Sequence, residues 1–222
     1  EEDGTPMRLG AVMSEIPQLG PASLLYAPSQ GRPDLRQRWR EMEIEKNPSL
    51  AGKEFSLPVV TCALTHGISV AGHLFIDEGD EVILPDLYWD NYDLVLSHNY
   101  GAKFALHNTF VDGKYDIAAL SEKLNSDGEK KILLLNFPNN PTGYTLTEKE
   151  ADRLRDELLA AAKKGKKIAA LLDDAYFGLV YGEEVTKESL FGRLIDLHEN
   201  ILAVKLDGAT KEDYVWGFRV GF

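Results

Sequence analysis

Residues 130–143 read KKILLLNFPNNPTG, an apolar run that ends abruptly in asparagine, proline and glycine. Residues 167–176 read KIAALLDDAY and have the same form, with two aspartates directly after the apolar run. Short apolar runs bounded by turn-forming or charged residues are typical of buried strands. We therefore predict strands over 130–136 and 167–173, each followed by polar side chains at its carboxyl end.

On both sides of these two runs, short apolar runs alternate with longer amphipathic segments. The clearest helix begins at Thr147, where Thr147 and Glu150 form a capping box, and a charged helix begins at Pro33. This alternation predicts an α/β fold, a three-layer sandwich around a mainly parallel central sheet. We expect residues 1–45 to form an N-terminal segment with a helix, and residues 46–222 to form one large domain. The predicted strands are 58–63, 81–85, 102–107, 130–136, 167–173 and 201–207.

Residues 208–221 read GATKEDYVWGFRVG, in which Lys211 is followed eight positions later by Arg219 in a Gly-x-Arg-x-Gly turn. A lysine amine can hold an aldehyde cofactor covalently and then move protons, while a guanidinium can bind the cofactor's phosphate through its planar donors. On this segment alone, a surface lysine and a salt-bridged arginine are an equally good interpretation. The two segments quoted above favour the cofactor site, because they supply the other groups that such a cofactor requires.

The chain resembles the class I/II aminotransferases, which are pyridoxal-phosphate enzymes of fold type I, in three motifs: Asn140-Pro141-Thr142-Gly143, then Asp173-Asp174-Ala175-Tyr176, then Lys211 with Arg219. The resemblance covers essentially the whole chain. It implies the large, cofactor-binding domain of an enzyme that moves an amino group between an L-amino acid and a 2-oxo acid in a ping-pong exchange. It also implies a homodimer with shared active sites.

The resemblance assigns a role to each motif residue. Lys211 forms the Schiff base with pyridoxal 5'-phosphate and later acts as the base that moves the substrate proton. Asp173 keeps the pyridine nitrogen protonated, so that the ring withdraws electrons from the substrate. Asn140 and Tyr176 donate hydrogen bonds to the phenolic oxygen of the ring, and Arg219 binds the phosphate.

Three further segments match less tightly. The amides of Thr65-His66-Gly67 would meet the phosphate at a helix N-terminus, although a plain strand-to-helix turn explains the segment nearly as well. Trp89 would stack on the pyridine ring, with Tyr88 as the competing choice and a core position as the alternative for both. Tyr26 would reach the phosphate of the neighbouring subunit, and its alternative is a buried aromatic in a turn.

The chain differs at two points from the family that it resembles. Many relatives carry a phosphate-binding serine three residues before the lysine, whereas this chain has Gly208, which offers only its backbone amide. Relatives also continue beyond the lysine motif into a C-terminal domain, where an arginine binds the substrate carboxylate. We expect the chain ending at Phe222 to bind the cofactor but to transaminate poorly.

The composition is that of an ordinary globular enzyme, with 44% apolar residues and a formal charge of −12. The acidic balance argues against nucleic acid and anionic membranes as partners. A single cysteine, Cys62, excludes an intrachain disulfide and favours a reducing compartment. With the acidic start Glu1-Glu2-Asp3 and no long apolar stretch, this predicts a cytoplasmic protein. The five histidines show no ligand-like spacing, so no metal site is predicted.

Two other functions use the same motifs. A fold-type I lyase or decarboxylase needs the same lysine, aspartate and tyrosine but breaks a different bond. A transcription regulator can keep an aminotransferase-like module as an effector sensor, and a basic DNA-binding segment before residue 1 would indicate it. The sequence does not identify the amino-acid substrate.

Overall fold

A computed structural model of the chain describes residues 3–222. Glu1 and Glu2, on which the expectation about the N-terminus partly rests, lie outside the described residues. The helices are α1 (Gly10–Glu15), α2 (Pro33–Lys46), α3 (Ala63–Phe75), α4 (Ile117–Asn125), α5 (Glu148–Lys163) and α6 (Phe191–Leu194), with a π-helical segment at Asp93–His98. The strands are β1 (Thr61–Cys62), β2 (Glu81–Pro85), β3 (Lys103–His107), β4 (Phe110–Val111), β5 (Lys114–Tyr115), β6 (Lys130–Asn136), β7 (Lys167–Asp173), β8 (Ile201–Leu206) and β9 (Val220–Gly221).

Within residues 3–222, the main sheet has five strands in the order β3-β2-β6-β7-β8, and each neighbouring pair is parallel. All carboxyl ends therefore lie at one edge of the sheet. The register of β6 and β7 pairs Asn136 with Asp173, so that the polar residues predicted to follow the two apolar runs stand side by side.

Helices cover both faces of this sheet, because alternate residues of a strand point to opposite faces. In β6, Ile132 and Leu134 pack in one core cluster with α3 and the π-helical segment. Leu133 and Leu135 pack in a second core cluster with α4 and α5. The predicted α/β sandwich with three layers and a parallel central sheet is confirmed.

Helix α5 begins as the sequence predicts. Thr147 Oγ1 accepts the Glu150 amide at 3.2 Å, and the Glu150 carboxylate accepts the Thr147 amide at 2.8 Å, which completes the capping box. Ala151, Leu154 and Leu158 form its buried face. Helix α2 begins at Pro33, where a proline suits the first turn because its missing donor has no partner there.

The predicted strand over 58–63 is wrong in extent and in partner. Only Thr61 and Cys62 are extended and paired, and they pair antiparallel with β9 rather than joining the main sheet. The chain turns into α3 already at Ala63, whose φ of +62° is left-handed. The apolar residues before Thr61 therefore cover a cavity beside β8 instead of forming a core strand.

The N-terminal segment lies on the surface of the chain and exposes large apolar side chains. Leu24 is 87% exposed and Tyr26 is 90% exposed. No helix among residues 3–222 combines the length and apolar composition that crossing a membrane requires.

Candidate active site

A cavity of about 280 Å³ lies at the carboxyl ends of β6 and β7. This is where open parallel sheets bind ligands. Seven of the predicted site residues line it: Thr65, Trp89, Asn140, Asp173, Tyr176, Lys211 and Arg219. The cavity also contains residues that the sequence did not single out: Ala63, Leu64, Ile68, Tyr92, Asn136, Ala175, Thr210 and Trp216.

Asp173 ends β7 and is 3% exposed, although it lines the cavity. Its carboxylate accepts hydrogen bonds from the Tyr92 hydroxyl at 2.5 Å and from the Ala175 amide at 3.1 Å. Burial raises the pKa of Asp173 above the usual aspartate range, while these hydrogen bonds and the nearby Lys211 ammonium oppose the rise. A cation bound beside this carboxylate would also oppose the rise of its pKa, because opposite charges stabilise each other.

Asn136 shapes the Asn-Pro-Thr-Gly turn from the end of β6. Its side-chain amide donates to the Asp173 carbonyl at 2.8 Å, and its side-chain oxygen accepts the Asn140 backbone amide at 2.7 Å. Asn139 closes the same turn, since its side-chain oxygen accepts the Thr142 hydroxyl at 2.6 Å. These bonds join the turn to β7, and this leaves Asn140 at the cavity wall.

Lys211 and Tyr176 meet across the cavity. The Lys211 ammonium lies 4.8 Å from the centroid of the Tyr176 ring. Lys211 forms no ion pair with any residue among 3–222, so that its amine stays available within the cavity. The amine is half-buried at the cavity wall, and it is not held in an ion pair that would keep it from an aldehyde bound in the cavity.

The cavity wall opposite β7 is suited to an anion. Arg219 lines it, is exposed, and makes no ion pair among the described residues. The Arg219 carbonyl accepts the Ala63 amide at 2.9 Å, which joins the arginine turn to the first residue of α3. The first turn of α3 also lines the cavity, and a helix N-terminus favours negative charge.

Of the two aromatic candidates, Trp89 lies at the cavity and Tyr88 does not. The Tyr88 ring packs edge-on against Phe104 at 5.5 Å, and its hydroxyl donates to Asp93 at 3.2 Å. Trp89 packs edge-on against Tyr92 at 5.5 Å, which places it beside the tyrosine that holds Asp173.

Four predicted residues lie away from the cavity. His66 and Gly67 lie within α3, because the helix begins earlier than the sequence suggested. His66 is exposed, and its ring nitrogen accepts the Cys62 amide at 3.0 Å. Gly67 is buried next to Leu206. The Gly208 amide donates to the Asp207 carboxylate at 2.7 Å, so the amide expected to meet a phosphate already has a partner. Tyr26 lies on the outer surface rather than in a turn core.

Sequence reasoning missed Tyr92, Asn136 and Thr210. Tyr92 and Asn136 lie inside or next to the predicted motifs, but each reaches Asp173 from another element, Tyr92 from a helical stretch and Asn136 from β6. Tyr92 carries one available signal, because it is an aromatic residue three positions after Trp89, and the two rings pack edge-on at 5.5 Å.

A larger cavity of about 390 Å³ lies beside the outer edge of β8. It is mostly lined by apolar side chains such as Leu74, Val204 and Leu202, and Gly67 is the predicted site residue that it contains. It also contains Lys205, but that ammonium is held in ion pairs with Glu43 and Asp207. We place the chemistry in the smaller cavity, because the lysine and the arginine there, Lys211 and Arg219, form no ion pair within residues 3–222.

The three-layer parallel fold is that of the PLP-transferase class of α/β proteins. The chain superimposes on an aminotransferase from Anaerococcus prevotii DSM 20548 with a TM-score of 0.83 and 26% identity, covering 97% of this chain and 53% of that one. Residues 3–222 match the family model of aminotransferase class I and II. The chain belongs to the class I and II aminotransferase family.

Individual relatives agree with this family. The chain is 27% identical over 197 residues to a probable N-acetyl-LL-diaminopimelate aminotransferase of Bacillus subtilis (strain 168), covering 89% of this chain and 46% of that protein. It is 27% identical over 199 residues to an aspartate aminotransferase of the same organism, covering 89% and 47%. The chain thus spans about half the length of the curated relatives it matches.

Proposed function

We propose that this chain forms the cofactor-binding part of a pyridoxal-phosphate-dependent aminotransferase that moves an amino group between an L-amino acid and a 2-oxo acid. The observation that carries the proposal is the convergence of Lys211, Asp173 and Arg219 in one cavity at the carboxyl end of the sheet. The family of the chain supports it, because class I and II aminotransferases depend on this cofactor.

The donor set of the cavity fits the cofactor. An amine without an ion pair suits its aldehyde, a buried carboxylate suits its ring nitrogen, and a free guanidinium suits its phosphate. Asn140 and Tyr176 line the same cavity and would donate to the phenolic oxygen, and Thr65 in the first turn of α3 would add a phosphate contact. When bound, the cofactor supplies an aldehyde for the substrate amine and a ring that withdraws electrons from the substrate carbon.

Each of these side chains then has a definite task. Asp173 holds a proton at the ring nitrogen, because a carboxylate there stabilises the charged form. The Lys211 amine takes the proton from the substrate carbon and returns it, as a general base and acid. Trp89 covers the ring and limits the access of water to it.

The wider assignments belong to the same proposal. We propose residues 46–222 as the cofactor-binding domain and residues 1–45 as an N-terminal segment with α2, whose Trp39 ring stacks on Phe222 at 3.9 Å. Tyr26 would serve the site of a second subunit, which its 90% exposure supports. The single cysteine supports a cytoplasmic location.

An absorbance titration of the purified chain with pyridoxal 5'-phosphate tests the proposal, followed by exposure of the complex to single amino acids. We expect a saturable spectral change that the Lys211→Ala variant lacks, and then slow conversion to the amine form of the cofactor with at least one amino acid. Absence of saturable binding would remove the proposal. Release of carbon dioxide without formation of the amine form would instead indicate a decarboxylase.

A further inference from the structure

Lys205, near the end of β8, is a buried lysine with no task in the proposed chemistry. Its side chain is 8% exposed, and its ammonium forms ion pairs with three carboxylates: Asp207, Glu43 at 3.1 Å and Asp174 at 3.2 Å. Its ammonium also lies 4.6 Å from the centroid of the Phe177 ring. Removing one member of a buried ion pair is strongly destabilising, because the remaining charge has lost both water and partner.

We call Lys205, Glu43, Asp174 and Asp207 the Lys205 cluster. One ammonium faces three carboxylates there, so that the cluster carries an excess of negative charge. Burial accordingly raises the pKa of Glu43 to about 8, against the lowering effect of Lys205. The cluster depends on its lysine, since no other cation lies within 4 Å of these carboxylates in the described part of the chain.

Hydrogen bonds connect the cluster to the elements around it. The Ser189 hydroxyl donates to Asp174 at 2.6 Å, and the Ser189 amide donates to the Asn47 side chain at 2.7 Å. The Asn47 side-chain amide in turn donates to Glu43 at 3.2 Å. The cluster therefore ties the end of α2 to the ends of β7 and β8.

Two of the three carboxylates lie close in the chain to residues of the candidate active site, although neither lines its cavity. Asp174 follows Asp173 and points away from the cavity, so the two neighbours hold opposite sides of the end of β7. Asp207 accepts the Gly208 amide at 2.7 Å, at the start of the loop that carries Lys211. Its own backbone pairs with Phe222 through hydrogen bonds of 3.0 and 2.8 Å.

We propose that Lys205 is a positioning residue, which acts through Asp174 and Asp207 to hold Asp173 and the Lys211 loop in one fixed arrangement. The inference rests on the proposed function only in that Asp173 and Lys211 are taken as the cofactor residues. Without the ammonium, the cluster loses its cation, and the Asp174 and Asp207 carboxylates repel each other in a buried space, so that the ends of β7 and β8 separate.

Three variants test this role. Lys205→Met removes the ammonium. Asp207→Asn keeps an oxygen that accepts the Gly208 amide but removes the charge that attracts the Lys205 ammonium. This variant tests the same role if Lys205→Met does not fold. The matched control is Lys131→Met: Lys131 is also a buried lysine of the sheet, but it lies at the opposite end of β6, where its ammonium donates to Ser126 and Asp127 at 2.7 Å.

The first measurement is hydrogen–deuterium exchange of a peptide covering residues 207–213, without cofactor. The second is the Kd for pyridoxal 5'-phosphate. We expect faster exchange and a Kd raised about tenfold or more in Lys205→Met and Asp207→Asn, with both quantities unchanged in Lys131→Met even if its Tm falls.

Wild-type exchange and affinity in Lys205→Met or Asp207→Asn would overturn the proposal, and so would the same losses in Lys131→Met. The two proposals fail separately. A wild-type chain that binds no pyridoxal 5'-phosphate removes the proposed function, whereas the exchange measurement on the cofactor-free chain still decides the role of Lys205.

Discussion

Arg219 carries the clearest single-residue consequence of the site. Its guanidinium is exposed at the cavity and has no ion pair within residues 3–222. A planar donor group in this state, beside the first turn of α3, is suited to a phosphate.

We predict that Arg219→Met raises the Kd for pyridoxal 5'-phosphate by about tenfold or more, the loss expected for a hydrogen bond to a charged group. The Kd for pyridoxal, which lacks the phosphate, should stay the same, and comparing the two titrations isolates the phosphate contact. An equal loss for both ligands would contradict the assignment. Arg38→Met, on the exposed face of α2, is the control.

Tyr92 is the residue that connects the aromatic wall to the buried carboxylate. Its hydroxyl donates to Asp173 at 2.5 Å, and both groups are fully enclosed. Tyr92→Phe leaves the shape intact and takes a donor away from Asp173. We predict a cofactor affinity lower by about tenfold, on the order of a charged hydrogen bond, measured by absorbance titration.

The matched control is Tyr88→Phe, because the Tyr88 hydroxyl also donates to an aspartate, Asp93, but on the side away from the cavity. The affinity of Tyr88→Phe for pyridoxal 5'-phosphate should equal that of the wild type. If Tyr92→Phe and Tyr88→Phe bind the cofactor equally well, the hydrogen bond to Asp173 does not contribute to the site.

Among single helices and strands, the sequence predicted correctly those bounds that depend on contacts between neighbouring residues. The bounds of β2, β6 and β7 and the capping box of α5 agree with the sequence predictions. Each depends on the types of residues that are close together in the sequence. The strand predicted over 58–63 failed for the opposite reason. Its partner β9 lies about 160 residues away, and the residues around position 61 contain no pattern that predicts this strand pairing.

Helix α2 provides a prediction about pH. Burial raises the pKa of Glu43 to about 8, whereas a glutamate in the unfolded chain titrates near 4.5. Between these values the folded chain keeps a proton that the unfolded chain releases. The free energy of unfolding from this group is therefore largest below pH 4.5 and is lost as pH rises through about 8.

We predict that Glu43→Gln flattens this decline, because glutamine does not titrate. Denaturant unfolding at several pH values from acidic to about 8 measures it. Glu45→Gln, an exposed position on the same helix, should keep the wild-type slope over that range. A Glu43→Gln slope equal to that of the wild type would show that Glu43 is ionised in the folded chain.

For the whole molecule, the N-terminal segment exposes apolar side chains that a second molecule could bury. Leu24, Leu25 and Tyr26 are among the most exposed apolar side chains of the described residues, and they follow each other directly. Exposed apolar patches of this kind mark association surfaces, and a two-fold dimer is the simplest closed assembly.

We predict that the chain sediments as a dimer and that replacing Leu24 and Leu25 together by glutamine shifts it towards monomer. Tyr181→Gln is the control, since Tyr181 is comparably exposed but lies far from this segment in the sequence. Sedimentation of the wild type as a monomer at all concentrations would remove the second subunit and the role of Tyr26.

The site shows how far sequence reasoning reached. Lys211, Asp173 and Arg219 could be named because each belongs to a motif with a chemical reason for its residue type. His66, Gly67 and Gly208 do not line the cavity, and the sequence could not show this, because their positions depend on where α3 begins and on which group accepts the Gly208 amide. The Lys205 cluster joins α2, β7 and β8, and only the folded chain brings these together.

The proposed function requires that Lys211, rather than Lys205, is the cofactor lysine. Borohydride reduction of the chain loaded with pyridoxal 5'-phosphate, followed by peptide mapping, measures this directly. We expect the adduct on Lys211, because its amine lies in the cavity without an ion pair, whereas three acidic side chains hold the Lys205 ammonium. An adduct on Lys205, or no adduct on any lysine, would show that Lys211 is not the cofactor lysine.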